Sequence, residues 1–246
     1  MQELGIYVHI PFCASKCYYC DFISYANKEE KIKQYILALL NEINTLETGL
    51  VSAPITTIYI GGGTPSYIDS KYIVSILNAI KEKYTVSKTA EITIEINPGT
   101  VTSKKLKDYK LCGINRISIG LQSTDNNLLK QIGRIHTYEQ FLDTYNLARK
   151  VEFKNINVDL MLALPEQKIN ILEDSLEKIV SLKPEHISVY SLILEEGTKL
   201  YNLVKERKVE LLDDDTERKM YWYVKNMLEK NGYKHYEISN FAVKRI

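Results

Sequence analysis

The sequence contains no long apolar run and no excess of charge of one sign. Its hydrophobic stretches fall short of the roughly 18 residues that a membrane-spanning helix needs, so no span is predicted. Lysine and arginine number 32 against 31 aspartates and glutamates, and the net charge of +1 removes bulk charge as an argument for binding nucleic acid or an anionic membrane. We therefore expect no nucleic-acid partner, and contact with a membrane only through another protein.

Cysteine is also scarce, with four residues in the chain. The first residues, in addition, carry no basic stretch followed by an apolar one, the pattern of a secretory signal. The absence of a visible secretory signal predicts a cytoplasmic protein. In that compartment the four cysteines are expected to be metal ligands, catalytic groups or buried thiols rather than disulfides. The 246 residues are 45% hydrophobic and 26% charged, which is ordinary for a folded chain of one or two domains.

Short runs typical of β-strands alternate with longer amphipathic stretches through most of the chain. Repeated right-handed β–α crossovers produce a parallel sheet. Because six such units are two fewer than a complete eight-fold barrel needs, we expect an α/β fold with a partial (β/α)6 TIM-like barrel over about 4–212, helices outside, and a trailing helix and strand over about 213–242. The predicted strands are 6–10, 55–60, 91–96, 116–121, 155–160 and 186–192, with a last extended piece at 236–242; the predicted helices are 28–47, 69–80, 103–113, about 125–150, 170–182 and 213–232.

The predicted strands alternate polar and apolar residues, although buried parallel strands are usually apolar throughout. The strand at 91–96, for example, reads Glu-Ile-Thr-Ile-Glu-Ile. Helices must cover the apolar faces, so the polar faces converge on the inside. We therefore predict a wide, polar bore that can hold a polar ligand; a flat sheet with one solvent-exposed face is the alternative.

Three cysteines lie directly after the first predicted strand, at Cys13, Cys17 and Cys20. Three thiolates so close in sequence can hold one cluster or one metal ion, and soft thiolates favour iron–sulfur clusters as well as zinc. Structural zinc prefers four ligands, and the remaining Cys112 lies beside a helix-ending glycine, where a buried thiol is expected. A cubane cluster with one open iron suits three ligands, while zinc with a distant histidine and free thiols stay open as alternatives.

A run of three glycines follows the second predicted strand, and polar residues end three later strands. Glycines at the carboxyl end of a strand let backbone carbonyls approach a ligand closely, and β/α barrels bind ligands at that end. Residues 61–65 lack the Lys-Ser/Thr pair of a P-loop, so a nucleoside triphosphate site is not supported. The alternative to a ligand-binding loop at these glycines is a simple tight turn. Glu95, Gln122 and Asp159 fall on predicted inward faces near strand ends.

Eight blocks of the sequence, taken in order, resemble the radical S-adenosylmethionine (SAM) superfamily. Within it they are similar to the HemW-type heme chaperones, which are related to the oxygen-independent coproporphyrinogen III oxidases of the HemN type. The spacing CxxxCxxC after the first strand of a β/α barrel carries the resemblance, and it extends over nearly the whole chain. The blocks are residues 7–13, 61–66, 95–100, 115–123, 133–136, 159–165, 186–190 and 236–242.

The resemblance implies a 4Fe–4S cluster held by Cys13, Cys17 and Cys20, with SAM on the open iron. It implies a protein that binds heme as cargo and delivers it to acceptor proteins, with SAM cleavage as a further activity and an electron-donor protein as partner. Arg134 lies in a predicted loop, where a surface charge is an equal alternative. The residues that the resemblance places against SAM are Tyr7, Tyr19, Gly62, Gly63, Thr64, Glu95, Gln122, Arg134 and Asp159.

The chain departs from the oxidases in two places. Asp21 and Phe22 follow Cys20 where the oxidases have a further cysteine, and almost nothing precedes Tyr7. Both features favour a heme chaperone over a coproporphyrinogen III oxidase, which stays an alternative together with a zinc-binding module without redox chemistry. The sequence also stops before the family's heme-linked His-Asn-x-x-Tyr-Trp motif. We therefore expect residues 1–246 to form the radical SAM core domain, with the family's C-terminal domain absent.

Overall fold

The computed structural model describes residues 3–46 and 53–243. The strands are β1 (Leu4–Ile10), β2 (Phe12–Cys13), β3 (Tyr25–Ala26), β4 (Ile55–Gly62), β5 (Val86–Ile96), β6 (Arg116–Gln122), β7 (Ile156–Leu162), β8 (His186–Ser191), β9 (Lys234–Glu237) and β10 (Asn240–Ala242). The helices are α1 (Glu29–Thr45), α2 (Ser70–Lys83), α3 (Ser103–Leu111), α4 (Asn126–Gln131), α5 (Tyr138–Lys150), α6 (Ile169–Leu182), α7 (Lys199–Lys205) and α8 (Asp214–Lys230), with a 3-10 turn at Pro65–Tyr67.

Most strands belong to one eight-stranded sheet in the order β1-β4-β5-β6-β7-β8-β10-β9. Each pair from β1 to β8 in that order is parallel, and helices connect the successive strands. Within the described residues β1 and β9 are the two edges, so the sheet is open. The predicted α/β fold with a partial (β/α)6 TIM-like barrel is confirmed.

The end of the sheet differs from the prediction. Residues 236–242 are not one extended strand, because β9 and β10 form a hairpin that pairs antiparallel to β8 through β10. The Glu237 side chain explains the turn, since it accepts hydrogen bonds from the Ser239 backbone N–H and from the Asn240 side-chain amide. The hairpin adds two strands to the side of the barrel that six units leave open.

Other boundaries shift for local reasons. The helical region at 125–150 divides into α4 and α5 at Gly133, whose φ of +77° lies in the left-handed region that ends helices. Strand β5 begins at Val86 rather than Glu91, and α7 was not predicted because it has only seven residues. Helix α1 ends at Thr45, and predicted helical residue 47 lies outside the described residues.

Side-chain caps start most of the helices at the positions that the sequence indicates. Asp69 accepts a hydrogen bond from the Lys71 backbone N–H at the start of α2, and Asp213 accepts one from the Thr216 N–H before α8. Thr137 forms a capping box with Gln140 at the start of α5. Such caps are worth about 1 kcal/mol each and fix where the chain turns from strand end to helix.

The alternation along the strands divides the sheet into an apolar and a polar face. Ile58, Ile60 and Ile94 are almost fully buried in the main core between sheet and helices. The residues between them point into the bore, where polar side chains meet one another. None of the helices that the structure describes has the length and apolar character that crossing a bilayer requires.

Candidate functional site

The three cysteines of the CxxxCxxC segment line one cavity at the carboxyl ends of the central strands. Cys13 is buried at the end of β2, Cys17 and Cys20 are half-buried in the following loop, and all three thiols are free. The cavity, called the upper cavity below, has a volume of about 510 Å³. That volume lies in the range of small-molecule and cofactor sites.

Two helices hold the cysteine loop in place through Tyr18, which directly follows Cys17. The Tyr18 N–H donates to the Ile132 carbonyl (2.9 Å) at the end of α4, and the Tyr18 carbonyl accepts from the Leu200 N–H (2.7 Å) in α7. The Lys199 ammonium lies 3.6 Å from the centroid of the Tyr18 ring. A Cβ at Gly133 would approach that ring to 2.4 Å, so only glycine allows this packing.

The glycine run after β4 packs directly against the first cysteine. A Cβ at Gly63 would lie 2.9 Å from the Cys13 sulfur, and one at Gly62 would lie 2.7 Å from the His9 ring. Gly62 also has a φ of +114°, which only glycine adopts freely. The hydroxyl of Thr64 donates to the Cys13 sulfur at 3.5 Å. The run therefore brings backbone and a hydroxyl donor to the edge of the cysteine loop.

Glu95 is the acidic group nearest to the glycine run. Its carboxylate accepts hydrogen bonds from the Tyr59 hydroxyl (2.9 Å) and from the Gly62 backbone N–H (3.1 Å). Burial raises the pKa of Glu95 to about 7, with a further contribution from the negative charge of Asp159, while both hydrogen bonds oppose the rise. This carboxyl can therefore gain or lose a proton near neutral pH.

Asp159 lies on β7, deeper in the bore. It accepts hydrogen bonds from the Asn157 amide (2.6 Å) and the Ser118 hydroxyl (3.1 Å). Burial raises its pKa, and those two hydrogen bonds hold the rise back. The two acidic side chains thus reach the cavity from neighbouring parts of the sheet and are fixed by different partners.

Arg134 contributes a cation from the loop after α4. Its guanidinium donates to the Asn97 side-chain oxygen (3.1 Å) and to the Gly120 carbonyl (3.0 Å). Its Nε is buried and has no hydrogen-bond partner in the described chain. A buried donor without a partner is costly, so this atom is a candidate contact for a ligand in the cavity. The alternative of an ordinary surface charge does not fit this position.

The structure brings together eleven of the twelve residues that the sequence places in the site. Tyr7 is the exception, because it is 58% exposed and does not line the cavity. Its ring stacks on that of Tyr59, a cavity-lining residue, with 6.2 Å between the ring centroids. Its contact with SAM stays a prediction without support from the cavity. The eleven predicted residues that line the upper cavity are Cys13, Cys17, Tyr19, Cys20, Gly62, Gly63, Thr64, Glu95, Gln122, Arg134 and Asp159.

Sequence reasoning missed several residues that line the same cavity. Asn97 joins two of the predicted residues, since its amide donates to the Thr64 hydroxyl (2.9 Å) and its oxygen accepts from Arg134. Tyr59 and Ser118 also line the cavity, and their inward positions in the alternating strands could have identified them. Asn97 lies in the Asn-Pro-Gly turn after β5, outside the polar–apolar alternation of the strand, so no repeating pattern in the sequence indicated that its side chain faces the cavity.

The three thiols line the upper cavity, but among the described residues they do not form a preformed site for one metal ion. Among the residues that the structure describes, no three Cys, His, Asp or Glu side chains are arranged to hold a single metal ion. Among the predicted site residues, the cavity wall therefore carries three cysteine sulfurs, the carboxyls of Glu95 and Asp159 and the guanidinium of Arg134; Lys16, Asp21 and Glu195 also line the cavity.

A sequence model described as the radical SAM superfamily matches residues 7–179. The chain belongs to the radical SAM superfamily. Membership implies a 4Fe–4S cluster and SAM, and it confirms the resemblance seen in the sequence. The finding also agrees with the position of the CxxxCxxC segment at the carboxyl end of a partial barrel.

Curated relatives of this radical SAM chain include heme chaperones. It is 40% identical over 237 residues to the heme chaperone HemW of Lactococcus lactis and 39% identical over 239 residues to that of Bacillus subtilis, in each case over 96% of this chain and 62% of the relative. The chain thus spans about three fifths of the length of these relatives.

A solved structure supports the same fold. The chain matches the radical SAM enzyme coproporphyrinogen III oxidase (HemN) of Escherichia coli with a TM-score of 0.86 and 26% identity, over 97% of this chain and 55% of that chain. The archaeal Elp3 of Methanocaldococcus infernus matches with a TM-score of 0.63 at 18% identity, which shows the fold alone.

Proposed function

We propose that this chain is the radical SAM core of a HemW-type protein that binds heme and delivers it to acceptor proteins. The observation that carries the proposal is that the three cysteine thiols line the upper cavity together with the carboxyls of Glu95 and Asp159 and the guanidinium of Arg134. Support comes from the 40% identity to a heme chaperone. The barrel, α8 and the β9–β10 hairpin would together form this core.

The residues present fit a 4Fe–4S cluster. The three soft thiolates come from Cys13, Cys17 and Cys20. In a cubane cluster each cysteine sulfur binds a different iron, so the three thiols need not meet at one metal position. The close contact of Gly63 with the Cys13 sulfur leaves no room for a side chain at position 63, so this face of the sulfur is approached only by backbone. When bound, the cluster and SAM would supply one-electron chemistry that no protein side chain provides.

The remaining residues of the upper cavity fit SAM, which carries positive and negative groups on a polar body. Glu95 and Asp159 can accept hydrogen bonds from amino or ribose hydroxyl groups, and Arg134 can donate to an anionic or carbonyl group with its unpartnered Nε. Thr64, Gln122 and the carbonyls near Gly62 and Gly63 add neutral contacts, and Tyr19 offers an aromatic ring for the adenine.

Phe22, two residues after the last cysteine of the motif, favours heme transport over coproporphyrinogen oxidation. Phe22 stands in place of the oxidases' further cysteine, is 65% exposed and lines the mouth of the upper cavity. Oxidation would require hydrogen abstraction from a propionate held about 3–3.5 Å from the reacting atom. A carrier needs only an accessible surface and an axial ligand. Heme as cargo, the acceptor, an electron donor and a cytoplasmic location are parts of this proposal.

The first experiment tests the cluster ligands. Alanine at Cys13, Cys17 or Cys20 should abolish the cluster after anaerobic reconstitution with iron and sulfide, as measured by iron content and visible absorption. Cys112 is the matched control, because its buried thiol donates to the Tyr109 carbonyl at 3.1 Å and does not line the upper cavity. Cys112→Ala should keep the full cluster. Equal loss in that variant, or stoichiometric zinc in place of iron, would refute the ligand set.

The second experiment separates the chaperone from the oxidase. The full-length protein is reconstituted and incubated anaerobically with coproporphyrinogen III, SAM and a reductant. We expect no protoporphyrinogen IX, and about one heme bound per protein in a parallel heme titration. Several turnovers to protoporphyrinogen IX would refute the heme-chaperone proposal and restore the oxidase.

A further inference from the structure

A second polar cavity lies in the bore nearer the amino ends of the strands, with a volume of about 350 Å³. We call it the Arg116 chamber. It shares Tyr59, Ser118 and Tyr190 with the upper cavity, so the two are neighbours along the same bore. Its rim is open to water, since Tyr236 is 64% exposed. The contacts proposed above for the cluster and SAM do not use it.

Arg116 provides the positive charge of this chamber, and its hydrogen-bonding capacity is largely unused. Its side chain is only 11% exposed. Its Nε lies 4.0 Å from a Glu91 carboxylate oxygen, and its Nη1 reaches the Thr93 hydroxyl only at 3.5 Å. A well-formed arginine–carboxylate pair has two parallel contacts of about 2.7–2.9 Å. Glu91 therefore does not saturate the forked guanidinium, which faces the chamber.

Four other polar groups of the chamber, on Asn157, His186, Ser188 and Tyr236, are already paired with one another. The Asn157 oxygen accepts from His186 Nδ1 (2.6 Å) and from the Ser188 hydroxyl (3.1 Å), and His186 Nε2 accepts from the Tyr236 hydroxyl (2.7 Å). Burial and the nearby Arg116 charge lower the pKa of His186 to about 4, so it is neutral at physiological pH. Arg116 is thus the one cation among the chamber-lining residues that the structure describes.

We infer that the Arg116 chamber binds a carboxylate group, held by the forked guanidinium of Arg116 with the Tyr190 hydroxyl as a second donor. A planar carboxylate matches the fork of arginine, whereas a doubly charged phosphate would meet stronger repulsion from Glu91. The chamber is too small for a tetrapyrrole ring but accommodates a small acid or the carboxylate arm of a larger ligand.

The structure makes opposite predictions for the two charged residues. Arg116→Gln removes the guanidinium and should weaken carboxylate binding at least tenfold, since hydrogen bonds to charged groups are the strong ones. Glu91→Gln removes the competing carboxylate beside Arg116 and should strengthen binding several-fold. If Arg116 serves only to pair with Glu91, neither substitution will change binding.

The probe is carboxyl-13C-labelled propionate, titrated into the reconstituted protein and followed by NMR line broadening. SAM is kept at saturation so that propionate cannot occupy the open iron or the upper cavity. Propionamide has the same shape without the charge and should not bind. Arg116→Lys keeps the charge but loses the forked geometry, so it should weaken propionate binding partially. This variant replaces Arg116→Gln in the test if Arg116→Gln does not fold. Tyr190→Phe should weaken it slightly.

Two results would overturn the inference: equal binding of propionate and propionamide, or weaker propionate binding in Glu91→Gln, which would show that Glu91 does not compete with the ligand for Arg116. A competition experiment then identifies the source of the carboxylate. Displacement of propionate by coproporphyrin III but not by its tetramethyl ester assigns the chamber to a tetrapyrrole arm, and that assignment rests on the proposed function. If neither coproporphyrin III nor its tetramethyl ester displaces propionate, the Arg116 chamber is assigned to a free small acid. That assignment does not depend on whether the protein carries heme.

Discussion

The Asn97 side chain links two residues that line the upper cavity, Thr64 and Arg134. Through its amide it orients the Thr64 hydroxyl, which in turn donates to the Cys13 sulfur, and through its oxygen it holds Arg134. Hydrogen bonds to a ligating sulfur stabilise the more negative, reduced state of an iron–sulfur cluster. A single amide therefore connects the position of a cation to the electronic environment of the proposed cluster.

We predict that Thr64→Val lowers the midpoint potential of the reconstituted cluster. The lost hydrogen bond is worth about 0.5–1.5 kcal/mol, which for a one-electron couple converts to roughly 20–60 mV. Thr64→Ser keeps the hydroxyl and is the control, expected to stay near the unmodified protein. Potentiometric titration monitored by electron paramagnetic resonance measures the shift. An unchanged potential in Thr64→Val would show that this hydroxyl does not reach the cluster.

Glu95 makes the stability of the SAM-free protein depend on pH. Its pKa is raised to about 7 in the folded state from an ordinary value of 4.5, so the folded protein holds this proton more tightly than the unfolded chain does. The free energy of unfolding is then highest at low pH and falls as the pH rises from about 4.5 to 7. The full effect of one such group is at most about 3 kcal/mol.

We expect Glu95→Gln to remove this part of the pH dependence. Urea unfolding between pH 5 and 8 should show a smaller loss of stability in Glu95→Gln than in the unmodified protein. Asp159, whose pKa is also raised by burial, will leave a residual slope of the same sign. Parallel pH profiles of the two proteins would contradict the assignment of Glu95 as the titrating group.

The elements that were predicted well are those with a strong repeating pattern. The alternation in 91–96 and 116–121 identified both the strand and its inward face, which is why Glu95 and Gln122 were placed correctly in the cavity. Helix α7 and the β9–β10 hairpin escaped because a short helix shows little periodicity and because two short strands with a tight turn resemble one extended run. Tyr7 does not line the cavity, because the resemblance that suggested it carried no information about exposure, and its contact with SAM stays a prediction.

The contacts of α4 and α7 with the cysteine loop give those short helices a function in positioning the loop. We predict that Gly133→Ala displaces Tyr18 and lowers the yield of reconstituted cluster, because the new Cβ would collide with the ring in addition to the cost of a left-handed alanine. Gly197→Ala is a matched control: its φ is +81°, yet nothing lies within 4 Å of the added Cβ.

Both variants should lose about 1 kcal/mol from the backbone conformation alone. Only Gly133→Ala should also lose iron, measured per folded protein after reconstitution. Equal iron content in the two variants would mean that the loop tolerates movement of Tyr18.

In the whole molecule, the open barrel leaves a continuous polar bore between the cluster side and the Arg116 chamber. The polar faces of six strands meet there because each apolar face is used to pack helices, and Asn157, Ser118 and His186 satisfy one another by hydrogen bonds. The sequence indicated this bore by alternation alone. It could not indicate the division into two cavities, since that depends on how Tyr59, Ser118 and Tyr190 approach from different strands.

A ligand that occupies the bore should stabilise the whole fold, because the strands that line it span the sheet. With SAM at 100 times its dissociation constant, the reconstituted protein should gain about 2.7 kcal/mol, which for a chain of this size corresponds to a rise of roughly 5–10 °C in Tm. The change in Tm on adding SAM is compared between variants, so that differences in intrinsic stability cancel.

Asp159→Asn and Cys20→Ala should each lose most of this rise, the first by removing a charge from the cavity wall and the second by removing the cluster. Asp143→Asn changes an exposed aspartate on α5 and should keep the full rise. A full rise in Asp159→Asn would place SAM away from the bore. A full rise in Cys20→Ala would show that SAM binds without the cluster, and the site would then be a binding pocket whose affinity does not depend on the cysteine loop.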